Sequence, residues 1–444
     1  VGYFALKVNT ASNNTAVGKS ALTANTSGGN NVAVGKQSLT TNTTGAENVS
    51  VGNASLCANT EGLNNTAIGH LALRQNTTAS SNTAVGMSAL TANTTGASNT
   101  AVGEVSLEAN TTGRFNTAVG KCSLDTNTEG HCNVAVGALS LNKNTTGDFN
   151  VAVGFCSLRC NATTDNNTAV GAFALNKNTA NSNTAVGKST LACNTSGANN
   201  TALGNSMETN TTGSNNTAAG NGALQANTTA SGNTALGRIT LSANTTGANN
   251  VAVGLCALRA NTTGAINTSV GACSLCHNTT GTRNTAVGFC ALHENTNNDN
   301  TAFGSSSLRD NTSGTRNVAI GPNAMRNATT ADCNTAIGVS AMQNSSTGND
   351  NVGIGNGALQ SNGTGCRNTA VGSLAGDAIT TGHENTAVGH KALTSATTSC
   401  GNVAVGMCSL HNHTTGGDNN AIGMCSQFTT STGAANNSMG HKSM

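Results

Sequence analysis

Cysteine is the residue type whose spacing in this chain most directly suggests chemistry, through disulfides or a bound metal. Several of the 15 cysteines follow one another at intervals of 17 residues. If the chain stacks on itself with that period, the Cα atoms of such neighbours would lie roughly 4.8 Å apart, within the range of a disulfide. The other interpretation, which we prefer, is that cysteine fills small apolar sites. The candidate stacked cysteines are Cys256, Cys273, Cys290, Cys408 and Cys425.

Cysteine and histidine come close along the sequence at few places. Cys273-x-x-Cys276 is a single pair, without the second pair that zinc-site spacing requires. His411 and His413 follow soon after Cys408 and form the one local cluster of histidine and cysteine. Both patterns fall short of a complete ligand set, and exposed variable positions explain the histidines more simply. The sequence therefore predicts no metal ion and no other cofactor.

Asparagine recurs in Asn-Thr-Thr or Asn-Thr-Ser tripeptides that match the N-glycosylation sequon. Asn, Thr and Gly also favour turns, so the same tripeptides are explained by turn chemistry alone. Both interpretations place these asparagines on exposed turns. The candidate glycosylation residues are Asn42, Asn76, Asn93, Asn110, Asn144, Asn244, Asn261, Asn278 and Asn311.

Residues for catalysis or for nucleic-acid binding are scarce. The 17 acidic residues form no repeated pairs or calcium-ligand ladder, and no nucleophile elbow, P-loop or dinucleotide fingerprint is present. The net charge of +2 comes without a cluster of Lys or Arg that would attract a phosphate backbone. No apolar run reaches the length of a membrane span, about 18 residues. We therefore expect neither an enzyme, nor a nucleic-acid partner, nor a membrane span.

The elements that position these residues follow from an internal repeat. The glycine of an Asn-Thr-Ala-Val-Gly pentapeptide recurs from Gly18 to Gly440 in 25 intervals, 22 of 17 residues and three of 16. The sequence therefore predicts one continuous repeat array over residues 1–444, a segment of a longer chain without separate domains. A single repeat buries too little apolar surface to be stable alone, and stacked neighbouring repeats supply the missing contacts.

Each position of the repeat, counted from this glycine as position 0, has its own chemistry. Thr/Val-Ala-Val at positions −3 to −1 alternates as a short strand, and we expect the −1 valine to point inward. A Ser-Leu or Ala-Leu pair at +3 and +4 predicts a second short strand with its leucine inward and its serine, such as Ser38 or Ser123, buried. The following Asn-Thr-Thr-Gly predicts a turn whose glycine accepts a positive φ.

Asparagine at position −4 is the most regular polar feature, and it is present in all 26 full repeats. Stacked amides would hydrogen-bond along the array and satisfy the backbone of the turns. We interpret this column as a structural ladder and not as a ligand-binding edge. Its first members are Asn14, Asn31, Asn48, Asn65, Asn82 and Asn99. The fold class predicted is therefore all-β, a parallel β-solenoid or β-roll of about 26 coils with 17 residues per coil.

Val32-Ala33-Val34-Gly35-Lys36-Gln37-Ser38 resembles the Val-Ala-Ile-Gly-x-x-Ser units of YadA-like heads, the left-handed parallel β-rolls of trimeric autotransporter adhesins. The Asn-Thr-Ala-Val-Gly arrays are also similar to repetitive shafts of phage and viral tail fibres. The repeat here is longer than the adhesin unit by a loop around Asn-Thr-Thr-Gly. The resemblance covers the whole chain, and it implies a homotrimer.

The function expected from these features is a structural or adhesive fibre, extracellular and carried on a cell or virion surface. Self-association would build the fibre, and a glycan or protein receptor would bind at its tip. One alternative is an ice-binding solenoid that uses threonine columns, which is disfavoured if position −3 shares a face with buried valine. The other is the shaft of a carbohydrate-binding viral or phage fibre, although only 2% of residues are aromatic.

Overall fold

The computed structural model describes residues 1–443, and its regular elements are 26 strands of three residues each. Each strand covers positions −3 to −1 of one repeat, most often Thr/Val-Ala-Val, and no helix occurs within the described residues. The chain folds as a parallel β-solenoid of about 17 residues per turn, which confirms the predicted fold class. Two compact units divide it, Val1–Asn216 and the residues from Thr217 onward.

The first unit contains twelve strands, each paired in parallel with the next along the chain. Their register matches repeat position to repeat position: Thr15 lies beside Val32, and Ala16 beside Ala33. The strands are β1 (Thr15–Val17), β2 (Val32–Val34), β3 (Val49–Val51), β4 (Thr66–Ile68), β5 (Thr83–Val85), β6 (Thr100–Val102), β7 (Thr117–Val119), β8 (Val134–Val136), β9 (Val151–Val153), β10 (Thr168–Val170), β11 (Thr184–Val186) and β12 (Thr201–Leu203).

The second unit contains fourteen strands with the same parallel pairing. They are β13 (Thr217–Ala219), β14 (Thr234–Leu236), β15 (Val251–Val253), β16 (Thr268–Val270), β17 (Thr285–Val287), β18 (Thr301–Phe303), β19 (Val318–Ile320), β20 (Thr335–Ile337), β21 (Val352–Ile354), β22 (Thr369–Val371), β23 (Thr386–Val388), β24 (Val403–Val405), β25 (Asn420–Ile422) and β26 (Asn437–Met439).

The inward residue of each strand is the small central one, so the expectation of inward valine at position −1 is wrong. Ala33 is fully buried, whereas Val32 and Val34 are half-buried on the opposite side of the strand. The coil interior already holds the leucine of position +4, such as Leu39, and asparagine side chains from two columns. Only a methyl or hydroxymethyl group fits beside them, and the β-branched residues must face outward.

The predicted second strand is instead a turn with two residues in the left-handed region. In the second coil, Gln37 has φ 60° and Leu39 has φ 49°, and the same two positions recur in most coils. The turn still bonds to its neighbours, because Gln37 N–H donates to Lys19 O at 2.9 Å and Leu39 N–H to Ser55 O at 3.1 Å. Leu39 is inward and Ser38 is buried, as predicted.

Two glycine columns are required for different reasons. Gly35 has φ 137°, and a Cβ there would lie 2.3 Å from Gly52 O, so both conformation and close approach exclude a side chain. Gly45 in the loop does not have the predicted positive φ. A Cβ at Gly45 would lie 2.4 Å from Asn42 Oδ1, so this glycine leaves room for the buried amide. Glu47, two residues later, carries the positive φ instead, at 62°.

Candidate functional site

The asparagines of position −4 form a hydrogen-bonded ladder through each unit. The backbone N–H of Asn31 donates to Asn14 Oδ1 at 2.9 Å, and Asn48 N–H donates to Asn31 Oδ1 at 3.0 Å. The amide Nδ2 of Asn31 also donates to the carbonyl of Gly45 at 2.9 Å. Asn31, Asn48, Asn65 and Asn82 are fully buried, so the column has no edge on which to bind a ligand.

The sequon asparagines form a second ladder, which sequence reasoning missed, and the expectation that they lie on exposed turns is wrong. Asn42 Nδ2 donates to Asn25 Oδ1 at 2.7 Å and to the carbonyl of Gly45 at 2.8 Å. Both amide hydrogens are therefore engaged inside the coil, which leaves no room for a glycan on the folded chain. The fully buried members are Asn42, Asn76, Asn93, Asn110, Asn144, Asn244, Asn261, Asn278 and Asn311.

The local cluster of histidine and cysteine seen in the sequence is separated in space. His413 occupies the second ladder in place of an asparagine, is fully buried, and contacts Gly416 O through Nε2. His411 is stacked on the ring of Phe428, with ring centroids 4.9 Å apart. Within residues 1–443, these histidines do not join Cys408 and Cys425 in a set of potential metal ligands.

The candidate stacked cysteines share position +2 of their coils, and all five have free thiols. Cys256, Cys273 and Cys290 lie in three successive coils with φ near 55°, half-buried at the turn. Burial and the neighbouring Cys273 raise the pKa of the Cys290 thiol, and burial and Cys425 raise the pKa of Cys408. The Cys290 and Cys408 thiols are therefore protonated at neutral pH and are weak nucleophiles.

Three potential metal ligands do converge at another place in the second unit. Cys276 Sγ and one ring nitrogen each from His277 and His293 all lie within 4.8 Å of one another. Sequence reasoning missed this group because His293 is 17 residues from Cys276 and only stacking brings them together. Reading each coil against the next at that offset would have found it.

The most extensive exposed feature is the third residue of the strands, position −1, which we call the apolar column. All 26 of these residues are apolar, and none is buried. Ile320, Ile337 and Ile354 on three successive strands are 39%, 37% and 36% exposed. Beside it, the outward position −3 holds Thr in 16 strands, Val in eight and Asn in two. Each unit thus presents a sheet face with a column of threonine and valine next to a purely apolar one.

A groove in the first unit is lined by two exposed aromatic side chains. Phe115 and Phe149, two coils apart, are 62% and 59% exposed and line a cavity of about 600 Å³. His131 lies between them, and its backbone N–H donates to Asp148 Oδ1 at 2.6 Å. Arg114, Thr112 and Cys132 also line the cavity. The groove thus combines aromatic faces with groups of both charges.

Comparisons with known proteins add no relative: no family model matches the chain, and no curated protein matches it. Among residues 1–443, the structure also has no helix with the length and apolar character to cross a membrane.

Proposed function

We propose that the chain is a structural fibre shaft that self-associates through the apolar column. The observation that carries the proposal is that position −1 faces outward and is apolar in all 26 strands. Soluble monomers rarely expose a contiguous apolar surface of this kind, and such surfaces mark sites of association. Each unit offers one along its whole sheet.

Strand propensity alone does not explain this column. Threonine suits an outward strand position as well as valine does, because both are β-branched. The chain uses Thr in 16 strands at position −3 but in none at position −1, although both positions face outward. The exclusion of hydroxyl groups from one outward column and not from its neighbour indicates a surface that is covered by an apolar partner.

Further copies of the same chain are the occupants that we propose for this surface. A partner must present apolar groups at the inter-strand spacing of about 4.8 Å, and another copy has that period by construction. The net charge of +2 on 444 residues adds little repulsion between copies. Three copies around one axis, as in the adhesin heads that the sequence resembles, would bury all their apolar columns together.

Three aspartates in the apolar column test the proposal. We expect Ile320→Asp/Ile337→Asp/Ile354→Asp to weaken self-association at least a thousandfold, because each buried carboxylate costs at least about 2 kcal/mol. Analytical ultracentrifugation of the full chain measures the mass, and circular dichroism checks that the strands persist. The matched control is Ser313→Asp/Thr330→Asp/Thr347→Asp, which places the same charges on exposed loop positions of the same coils.

The control variant should assemble as the parent chain does. A monomeric parent chain, or equal assembly by the column variant, would overturn the proposal. A mass of three chains would support the trimer over a dimer. Negative-stain images of the parent chain should show rods and not globules.

Ice binding is a second candidate function, and the outward threonines favour it. This function was disfavoured if position −3 shared a face with buried valine, and that valine is not buried. Threonine at position −3 and valine at position −1 share an exposed, in-register sheet face. The face is uneven, however, since the apolar column includes the larger side chains of Phe303 and Met439, and Val or Asn replaces Thr in ten strands. If the parent chain showed thermal hysteresis and no self-association, ice binding would be favoured over the fibre.

The cellular setting and the adhesive role belong to the same proposal. A fibre shaft would act outside the cell, on a cell or virion surface, with its receptor bound at a tip or at variable surface positions. The groove of Phe115 and Phe149 supports the related candidate of a carbohydrate-binding fibre, because sugar faces stack on aromatic rings beside hydrogen-bonding groups.

A further inference from the structure

The group formed by Cys276, His277 and His293 lies on the turns that follow strands β16 and β17. His293 occupies the coil position of Cys276 one turn later, and the backbone N–H of His277 donates to His293 O at 3.0 Å. The two imidazole rings meet edge to face, with centroids 4.6 Å apart. Cys276 is 4% exposed, whereas both histidines are partly exposed. A thiol at the protein interior thus faces two rings at the surface.

Glu294 holds both rings in place. Its Oε2 lies 2.9 Å from Nδ1 of His277, and its Oε1 lies 2.8 Å from Nδ1 of His293. Burial disfavours the carboxylate, but hydrogen bonds from the two histidines outweigh that effect and lower the pKa of Glu294. With each Nδ1–H donated to a carboxylate, the Nε2 of each ring is left with its lone pair. This arrangement of carboxylate, imidazole and open Nε2 is the one that orients histidine ligands in metal sites.

We propose that Cys276 Sγ and the Nε2 atoms of His277 and His293 bind one Zn²⁺ ion, with Glu294 as the orienting carboxylate. Thiolate and imidazole together are the ligand set that Zn²⁺ prefers, and a water molecule supplies the fourth position. On binding, the S–H bond of Cys276 breaks, its proton passes to solvent, and the sulfur electron pair forms the Zn–S bond. No oxidation or reduction accompanies the step.

The distances fit this assignment after a small rearrangement of side chains. In a tetrahedral site, Zn–N bonds of about 2.1 Å and a Zn–S bond of about 2.3 Å place ligand atoms about 3.4–3.6 Å apart. Cys276 Sγ and one ring nitrogen from each histidine already lie within 4.8 Å of one another, and the two histidines have solvent on one side in which to turn. Turning the rings and moving each side chain on the order of 1 Å would close the site.

Burial and nearby charges both act on the Cys276 thiol. Burial raises the pKa of the Cys276 thiol to about 11, while the nearby Arg259 acts in the opposite direction and favours the thiolate. Arg309, one coil further on, is paired with Asp310, with Nε and Oδ1 2.7 Å apart. The positive charge of Zn²⁺ would be balanced by the Cys276 thiolate and the Glu294 carboxylate. Without a metal ion, the Cys276 thiol remains protonated.

Cobalt and zinc titrations of the full, reduced chain test the site. We expect the parent chain to bind Co²⁺ with a thiolate-to-cobalt charge-transfer band that Cys276→Ser abolishes. His293→Gln should weaken the binding at least tenfold, and Glu294→Gln should keep the band but weaken binding by about 10- to 100-fold. X-ray absorption of the zinc-loaded chain should show one sulfur ligand and three nitrogen or oxygen ligands.

Cys273→Ser is the matched control, because it removes a thiol three residues earlier on the same coil. This variant should bind as the parent chain does. An unchanged band in Cys276→Ser, or loss of the band in Cys273→Ser, would overturn the proposal and assign the metal to the other cysteines. Circular dichroism separates loss of the site from loss of the fold, and His293→Gln provides the independent second variant.

Discussion

Gly338→Ala is expected to destabilise the second unit by about 4 kcal/mol or more. Gly338 has φ 136°, a conformation that costs an L-residue about 1–3 kcal/mol. The new Cβ would also lie 2.5 Å from Gly355 O, where ordinary contact begins near 3.4 Å. The next coil must therefore move by about 0.9 Å against strand hydrogen bonds such as Gly355 N–H to Ile337 O, at 2.8 Å. Urea unfolding monitored by circular dichroism measures the loss, and amide exchange should locate it in the two coils.

Gly222→Ser is the control for this effect. Gly222 has φ 73°, and the nearest atom to an added Cβ is 3.6 Å away. The equivalent residue in other coils is often serine at φ near 57°, as in Ser88 and Ser306. This substitution should change stability by less than about 1 kcal/mol. If the two glycine substitutions lowered the free energy of unfolding equally, the close approach of successive coils would not be the reason for glycine at position 338.

Asn93→Asp is expected to have the second largest effect, and one that depends on pH. Asn93 Nδ2 donates to Asn76 Oδ1 and to Gly96 O, both at 2.9 Å. A carboxylate there would place an oxygen against two acceptors inside the coil, at a cost of about 3–5 kcal/mol at pH 7. When protonated, the same group donates one of the two hydrogen bonds. The pKa of the new aspartate is therefore raised in the folded chain.

The sign of the pH dependence follows from that raised pKa. Below the unfolded pKa of about 3.9, both states bind the proton and the variant has its full stability. As the pH rises from there through the folded pKa, stability falls by up to about 1.4 kcal/mol per pH unit. Urea unfolding at pH 4 and pH 7 measures this difference. The variant should thus be more stable in mild acid than at neutral pH.

Two variants serve as controls for Asn93→Asp. Asn93→Ala should lose about 2–4 kcal/mol with no added pH dependence, because it removes the bonds without adding a titrating group. Asn53→Asp, on an exposed position, should change stability by less than about 0.5 kcal/mol. If the Asn93→Asp variant were as stable at pH 7 as at pH 4, the result would contradict a buried, hydrogen-bonded ladder at this position.

The sequence predicted the period, the first strand of each repeat and the parallel stacking, because these depend on a pattern repeated with little change. It did not predict which side of a three-residue strand faces inward. Val32 and Val34 are larger than Ala33, and burial of the larger residues was the natural expectation. The narrow interior reverses it, since Leu39 and the two asparagine ladders leave space for a methyl or hydroxymethyl group only.

The candidate sites were harder to predict, because their geometry arises between coils. Turn chemistry correctly indicated that Asn42 bonds to its own loop, but not that stacking would bury the whole turn. The group of Cys276, His277 and His293 is likewise invisible within one repeat, since its ligands come from two successive coils. Local motifs describe a single turn, whereas stacking brings together residues 17 positions apart.

The residue-for-residue pairing of neighbouring strands has a consequence for how such a gene can change. Position 15 lies beside position 32, and position 168 beside 184, so even a 16-residue coil rejoins its neighbours in register. Recombination between two copies of the repeat in the DNA therefore joins equivalent positions wherever the crossover falls. Whole coils can be gained or lost in one event without a frameshift or a mismatched contact, so the length of such an array can vary between generations while its cross-section stays constant.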